Sequence, residues 1–181
     1  YRHTICTSVN EQVVHGIPSA RVLEPGDIVS IDAGAEFDGW NGDSAFTVVV
    51  PDPSRPSVVA ERLELSRVTE GSLWAGIAAL ATARHLGEVG AAVQDHIDAS
   101  GHGYGILREY VGHGIGRKMH ESPSVFNYRT PDPGAEVRPG LAVAIEPMVV
   151  IGDQETLIED DDWTVSTLDG TAGSHWEHSV A

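Results

Sequence analysis

The stretch DIVSIDAGAEFDGWNGDSAFTVVV, residues 27–50, predicts a β-hairpin and decides the fold. Two apolar runs flank Asp38-Gly39, which is typical of a two-residue turn between antiparallel strands. This turn would place Asp32 opposite Ala45, with Asp43 two residues nearer the turn. Both carboxylates would then point to the same face of the hairpin. Two anions that close repel unless a proton or a cation lies between them. The alternative is a solvated face on which both charges are screened, because acidic residues are mostly exposed.

The composition is that of an acidic globular protein. Of the 181 residues, 41% are hydrophobic and 21% charged, which is enough to build the core of a single domain over residues 1–181. The 11 Lys and Arg against 27 Asp and Glu give a net charge of -16 with no basic run, which argues against direct binding of nucleic acid. No apolar run is long enough for a bilayer, so no membrane partner is expected. The single cysteine, Cys6, excludes an internal disulfide and favours a reducing, cytoplasmic location.

The order of the predicted elements favours an α+β fold. A strand over residues 4–14 and the hairpin come first, helices follow within residues 58–83 and 87–99, and short strands occupy the rest. Gly101 is expected to cap the second helix. We therefore expect a curved, mainly antiparallel sheet with helices on one side. The first helix is predicted from apolar residues at helical spacing, namely Val59, Leu63, Leu73, Ile77 and Leu80.

Three further stretches place a potential metal ligand in an apolar context. His113 lies between glycines in VGHGIG, Glu146 interrupts the apolar run LAVAIEPMVV, and Glu177 lies in SHWEHSV. Two of them have a simpler explanation: His113 could be a loop histidine with ordinary hydrogen bonds, and Glu177 a solvated edge residue. Glu146 is harder to explain this way, because a buried carboxylate needs a partner charge or a raised pKa.

Considered together, these residues predict a metal centre. Four carboxylates and one imidazole suit hard or borderline divalent ions such as Mn, Fe or Co, with Zn as a further candidate. Four converging carboxylates could neutralise two such ions, and shared carboxylates would hold the ions about 3.5–4 Å apart. The predicted ligands are Asp32, Asp43, His113, Glu146 and Glu177.

Five motifs in this order resemble the type I methionine aminopeptidases. They are TSVNEQVVHGIP, the hairpin with its two aspartates, GHGIGRKMHESP, IEPM and WEH, and the resemblance extends over essentially all 181 residues. It implies the pita-bread fold, which this family shares with aminopeptidase P, prolidase and creatinase. NEQVVHGIP and GHGIGRKMHE favour methionine aminopeptidase over the prolidase branch.

The resemblance implies a role for each predicted ligand. Asp32 is similar to the bidentate ligand of one metal ion. Asp43 and Glu177 match the carboxylates that bridge two ions. His113 and Glu146 match the remaining ligands of the second ion.

The resemblance also implies the residues that bind and process the substrate. His15 in HGIP matches a histidine that contacts the substrate near the scissile amide. His120 in MHESP matches one that helps to hold the carbonyl and the tetrahedral intermediate, and Glu146 is the candidate proton acceptor. The methionine side-chain pocket would be lined by Tyr1, Cys6 and Trp163.

The implied activity is metal-dependent removal of the N-terminal methionine from nascent proteins and peptides. Two divalent ions (Co, Mn, Fe or Zn) would lower the pKa of water to near 7 and so supply the nucleophile. A monomer is expected. Ribosome association would suit this activity, although the net charge of -16 offers no basic patch for ribosomal RNA.

The chain departs from the family pattern in three places. The family has a segment before Tyr1 and a final strand that continues past Ala181, so we expect the domain to be incomplete at both ends. Met119 stands where bacterial members usually have an aromatic residue. Two alternatives therefore stay open: a pita-bread peptidase with another N-terminal specificity, such as Xaa-Pro, and a truncated non-catalytic copy that acts as a binding module. Retention of all five ligands counts against the second.

Overall fold

The predicted hairpin is confirmed in a computed structural model that describes all 181 residues. Its strands, β3 (Ile28–Phe37) and β4 (Trp40–Val49), pair antiparallel with Asp32 opposite Ala45, as expected from the turn. The turn residues Asp38 and Gly39 both have positive φ, 52° and 74°. Positive φ at both positions matches the twist of the flanking strands, which explains the choice of Asp-Gly.

Two helices and eleven further strands complete the fold. The helices are α1 (Pro56–Leu80) and α2 (Leu86–Ala99). The strands are β1 (Cys6–Val9), β2 (Gln12–Val14), β5 (Gly105–Ile106), β6 (Gly112–Gly114), β7 (Glu121–Val125), β8 (Val143–Ile145), β9 (Met148–Val150), β10 (Thr156–Ile158), β11 (Val165–Thr167), β12 (Gly173–His175) and β13 (Glu177–Val180).

All strand pairs are antiparallel, and they form one large and two small sheets. The large sheet has seven strands in the order β1-β3-β4-β13-β8-β6-β7. The small sheets are β10-β11-β2 and β12-β9-β5. The prediction of one strand over residues 4–14 was wrong, because a turn with Asn10 at φ 59° splits it into β1 and β2, which join different sheets. The α+β prediction is confirmed.

The helices pack against the large sheet and bury the main core. The helix predicted from the spacing of its apolar residues is confirmed as α1, in which Leu65, Val68 and Leu73 are buried whereas Leu63 is 52% exposed. In α2, Val89, Val93 and Ile97 are buried, and Gly101, the expected cap, follows the helix with φ 75°. The main core contains Ile28, Leu65, Val68, Leu73, Leu86, Val89, Val93, Ile97, Ile106, Val125, Val143, Ile145, Val149 and Ala172. Neither α1 nor α2 offers the long apolar stretch that a bilayer-spanning helix needs.

Candidate metal centre

The register of the large sheet places Asp32 and Glu177 in one row across three strands. Ala45 of β4 pairs with Asp32 of β3 on one side and with Glu177 of β13 on the other. Directly paired residues point to the same face of a sheet, so both carboxylates face the same way. Glu177 is only 2% exposed, so the alternative that it is a solvated edge residue is wrong.

A second row, one pleat along, contains Asp43 and His113. The hydroxyl of Ser179 accepts from the Asp43 amide at 2.8 Å and donates to the Asp43 carbonyl at 2.9 Å. Ser179 pairs with Ala144, which in turn pairs with His113. Asp43 lies two residues from Ala45 on the same strand, so both rows share one face. Four of the five predicted ligands are thus collected by strand register alone.

The fifth predicted ligand, Glu146, lies where the chain crosses between sheets. It follows β8 of the large sheet and, with Pro147, leads into β9 of a small sheet. A second crossing, at Trp176, joins β12 to β13. The Trp176 amide donates to the Pro147 carbonyl at 3.4 Å, and its indole N–H donates to the Ser66 hydroxyl at 3.1 Å. The two crossings, and with them Glu146 and Glu177, are therefore held side by side.

His113 presents an unprotonated nitrogen to Glu146. Its Nδ1 lies 2.9 Å from the Gly114 carbonyl, which can only accept, so Nδ1 carries the proton. Burial lowers the pKa of His113, which keeps the ring neutral and leaves Nε2 as an acceptor. Nε2 lies 3.3 Å from Oε1 of Glu146, an oxygen that has no hydrogen-bond partner. Two facing acceptors need a cation or a proton between them.

The electrostatics of the buried carboxylates point to the same conclusion. Burial first, and Asp43 and Asp32 next, raise the pKa of Glu146 well above its ordinary value. Burial, Glu146 and the same two aspartates raise the pKa of Glu177 well above its ordinary value. Burial and Asp43 raise the pKa of Asp32 to about 7. The cluster therefore retains protons unless cations replace them, and its donor set suits divalent first-row ions.

Two groups of three residues bring their ligand atoms within 4.8 Å of one another. One is Asp43, His113 and Glu177, and the other is Glu146, His175 and Glu177. Glu177 belongs to both, as expected of a bridging carboxylate. Asp32 belongs to neither, although its carboxyl interacts with that of Asp43. His175 was missed from the sequence, because its approach to Glu146 depends on the crossing between β12 and β13 at Trp176 and not on a local pattern.

A cavity of about 240 Å³ opens beside the two aspartates. All the residues predicted to contact the substrate line it, namely Tyr1, Cys6, His15, His120 and Trp163. Burial raises the pKa of Cys6 to about 11, so its thiol is uncharged. The rings of His120 and His113 lie 4.3 Å apart between centroids, so His120 connects the cavity with the carboxylate cluster.

Two lining residues of the cavity have unusual local geometry. His15 has φ 60°, a left-handed conformation that a non-glycine residue rarely adopts and that concentrates at functional sites. Burial lowers the pKa of His15, and the neighbouring His120 lowers it further. Met119 packs against Gly34, where a Cβ would lie only 2.5 Å from the Met119 Cε. Gly34, like His3, Thr4 and Ile5, was not predicted as a lining residue.

Comparison of the sequence with family models and with curated proteins gives matches that agree with each other. The family model described as metallopeptidase family M24 matches residues 1–181. "Methionine aminopeptidase 1" of Mycobacterium tuberculosis is 46% identical over 186 residues, covering 100% of this chain and 68% of the relative. "Methionine aminopeptidase 1" of Bacillus subtilis is 41% identical, covering 100% of this chain and 70% of the relative.

Comparison with solved structures confirms the pita-bread fold. The methionine aminopeptidase of Thermotoga maritima matches with a TM-score of 0.85 at 40% identity, covering 97% of this chain and 68% of that one. That of Rickettsia prowazekii matches with a TM-score of 0.87 at 36% identity, covering 98% and 69%. A prolidase from Pyrococcus furiosus has a TM-score of 0.70 at 21% identity, which shows the shared fold alone.

Proposed function

Because this chain belongs to metallopeptidase family M24, we propose that it removes the N-terminal methionine of peptides and nascent chains with a centre of two divalent ions. The observation that carries this proposal is the pair of facing acceptors, Nε2 of His113 and Oε1 of Glu146, inside a ring of protonated or cation-binding carboxylates. Its curated relatives at 40–46% identity are named methionine aminopeptidases, which supports the reaction and its specificity.

The five residues predicted as ligands are the proposed holders of the ions. Glu177 and Asp43 are the proposed bridges, which agrees with the place of Glu177 in both groups of ligand atoms. Asp32 would bind one ion beside Asp43, and His113 and Glu146 the other. When bound, the ions supply Lewis acidity, which makes water a nucleophile near neutral pH and polarises a carbonyl.

The chain's own residues hold the substrate and move its protons. His120 lines the cavity next to His113 and would donate a hydrogen bond to the carbonyl oxygen as negative charge develops there. His15 lines the same cavity, near enough to His120 for that residue to lower its pKa, and would contact the scissile amide. Glu146 lies at the inner end of this arrangement and is the proposed acceptor of the proton that finally reaches the leaving amine.

The cavity suits a methionine side chain. Its wall combines the uncharged thiol of Cys6 with the rings of Tyr1 and Trp163, whose centroids lie 5.3 Å apart. Sulfur makes favourable contacts with aromatic rings, so a thioether is well accommodated there. The substrate is proposed to be free peptide or a nascent chain in the cytoplasm, bound without a basic surface for ribosomal RNA.

The test is release of methionine by the purified chain after removal of metal and reconstitution with Co²⁺ or Mn²⁺. We expect cleavage of Met-Ala-Ser that depends on the added ion and stops with chelator. Cleavage restricted to substrates with proline in the second position would replace the proposal with an Xaa-Pro peptidase. A folded, metal-loaded chain that cleaves neither substrate would support the non-catalytic binding module.

A further inference from the structure

His175 is a buried histidine whose ring has no hydrogen-bond partner. It is the last residue of β12 and is 2% exposed. Neither Nδ1 nor Nε2 contacts a donor or acceptor within hydrogen-bond distance. Buried polar groups in native proteins are nearly always satisfied, so an imidazole with both nitrogens unpaired requires an explanation.

Hydrogen bonds hold the backbone of His175, and this limits the region that its ring can reach. Its amide donates to the Ser30 hydroxyl at 3.1 Å and to the Thr47 hydroxyl at 3.0 Å. Its carbonyl accepts from the Thr47 hydroxyl at 2.8 Å. These hydroxyls lie in β3 and β4, so the hairpin that carries Asp32 and Asp43 also positions His175.

The ring of His175 points into the carboxylate cluster. Its Nε2 lies 3.7 Å from Oε2 of Glu146, and both residues group with Glu177 within 4.8 Å. Ligand atoms that share a first-row ion are each about 2.0–2.2 Å from it, and so at most about 4.4 Å from each other. The distance between Nε2 of His175 and Oε2 of Glu146 fits this limit. The distance of 3.3 Å between Nε2 of His113 and Oε1 of Glu146 also fits it.

We propose that His175 is a sixth metal ligand, which gives this chain a centre with two imidazoles, one on each side of Glu146. The inference rests on the proposed metal centre and adds a ligand that the sequence resemblance did not supply. A second imidazole shifts the preference of a carboxylate site from Mn²⁺ towards ions that favour nitrogen, such as Co²⁺ and Zn²⁺. The same ion would pair with Nε2 of His175, the ring nitrogen nearer Glu146, and with the unpaired Oε1 of Glu177.

The test counts the coordinated histidines directly. The whole chain, labelled with ¹⁵N-histidine, is titrated with Zn²⁺ and followed by NMR of the ring nitrogens. We expect the rings of two histidines to acquire the signature of coordination. His175→Gln should abolish one signal and His113→Gln the other, while the control His178→Gln keeps both. His178 is a matched control because it is close in sequence but forms a hydrogen bond with the Ser44 hydroxyl and meets the Trp74 ring edge to face.

Affinity provides a second, independent measurement. By calorimetry, His175→Gln should weaken Zn²⁺ and Co²⁺ binding about 10–100-fold, and Mn²⁺ binding less. Coordination by His113 alone, or equal losses for Zn²⁺ and Mn²⁺, would overturn the proposal. If His175→Gln fails to fold, the wild-type spectrum alone gives the number of coordinated histidines. If the wild-type chain binds an ion through one imidazole, only this inference is contradicted. If it binds no ion, the proposed metal centre is contradicted as well.

Discussion

Nε2 of His113 and Oε1 of Glu146 face each other at 3.3 Å, although both are acceptors. Hydrogen bonds position both residues: Nδ1 of His113 donates to the Gly114 carbonyl, and the side-chain amide of Asn127 donates to the Glu146 carbonyl at 3.0 Å. The contact is favourable only when a proton or a cation lies between the atoms. The raised pKa of Glu146 favours a proton there in the metal-free chain, and a bound cation would replace it.

Asp43→Asn is expected to remove metal binding and activity together. The substitution keeps the shape of the side chain and removes the charge that a bridging ligand needs. Loss of a residue that merely supports a ligand lowers metal affinity or activity about 10–100-fold, so loss of a bridging ligand should lower methionine release more than about 100-fold. Asp38→Asn is the matched control, because Asp38 is an exposed turn residue of the same hairpin. Equal activity of the two variants would contradict the role of Asp43.

Removal of metal should make stability depend on pH in an unusual direction. The pKa of Asp32 in the folded chain, about 7, lies above its unfolded value of about 3.9, and the pKa of Glu146 is also raised. At these carboxyls the folded chain binds more protons than the unfolded chain, so their contribution to stability falls as pH rises from about 4 to about 7. The lowered pKa values of His15, His113 and His175 act in the opposite direction, so the contribution of Asp32 is measured against Asp32→Asn. In chelator, the Tm of the wild-type chain minus that of Asp32→Asn should decrease over this window. A difference that increases with pH would contradict the raised pKa of Asp32.

Gly112→Ala is expected to destabilise the sheet at His113. A Cβ at this position would lie 2.4 Å from the Ala144 carbonyl oxygen of β8, a backbone atom that cannot move without separating the strands. We expect a loss of about 1–3 kcal/mol in the free energy of unfolding, measured by denaturant titration, and weaker metal binding. Gly42→Ala is the control, since a Cβ there has no neighbour within 4 Å. A neutral Gly112→Ala would mean that β6 and β8 are not packed as described.

Met119→Ala is expected to weaken the recognition of methionine rather than the chemistry. Met119 lines the cavity and packs against Gly34, so truncation leaves space that the substrate side chain does not fill. Because each lost methylene contact in an apolar pocket changes binding by about 10-fold or more, KM for Met-Ala-Ser should rise about 10-fold with little change in kcat. The exposed neighbour Lys118, changed to Ala, should leave KM unchanged. A fall in kcat alone would place Met119 outside the pocket.

The hairpin could be predicted from the sequence because its causes are local. Asp38-Gly39 fixes the turn, the turn fixes the register, and the register fixes which faces Asp32 and Asp43 share. The split at Asn10 was missed although the sequence carries a local sign of it, since the polar residues Asn10, Glu11 and Gln12 separate Val9 from Val13. The separate sheets of β1 and β2 make the break plain.

His175 escaped sequence analysis for a different reason. Its ring reaches Glu146 only because the chain crosses between sheets twice, at Pro147 and at Trp176, and the crossings lie side by side. That proximity joins segments about thirty residues apart, and neither segment contains a pattern that predicts it. Positions that depend on such long-range packing are visible only in the folded chain.

The second of these crossings leads to the final prediction. Trp176 lies between His175 and Glu177, and its indole N–H donates to the Ser66 hydroxyl of α1 at 3.1 Å. Trp176→Phe removes this hydrogen bond and should lower the free energy of unfolding by about 0.5–1.5 kcal/mol. If the bond positions the crossing, metal affinity should fall as well, measured by calorimetry at a temperature where both proteins are folded. Trp74→Phe is the matched control, because Trp74 is 52% exposed on the same helix that carries Ser66. Reduced stability with wild-type metal affinity would mean that α1 supports the core without orienting the ligands.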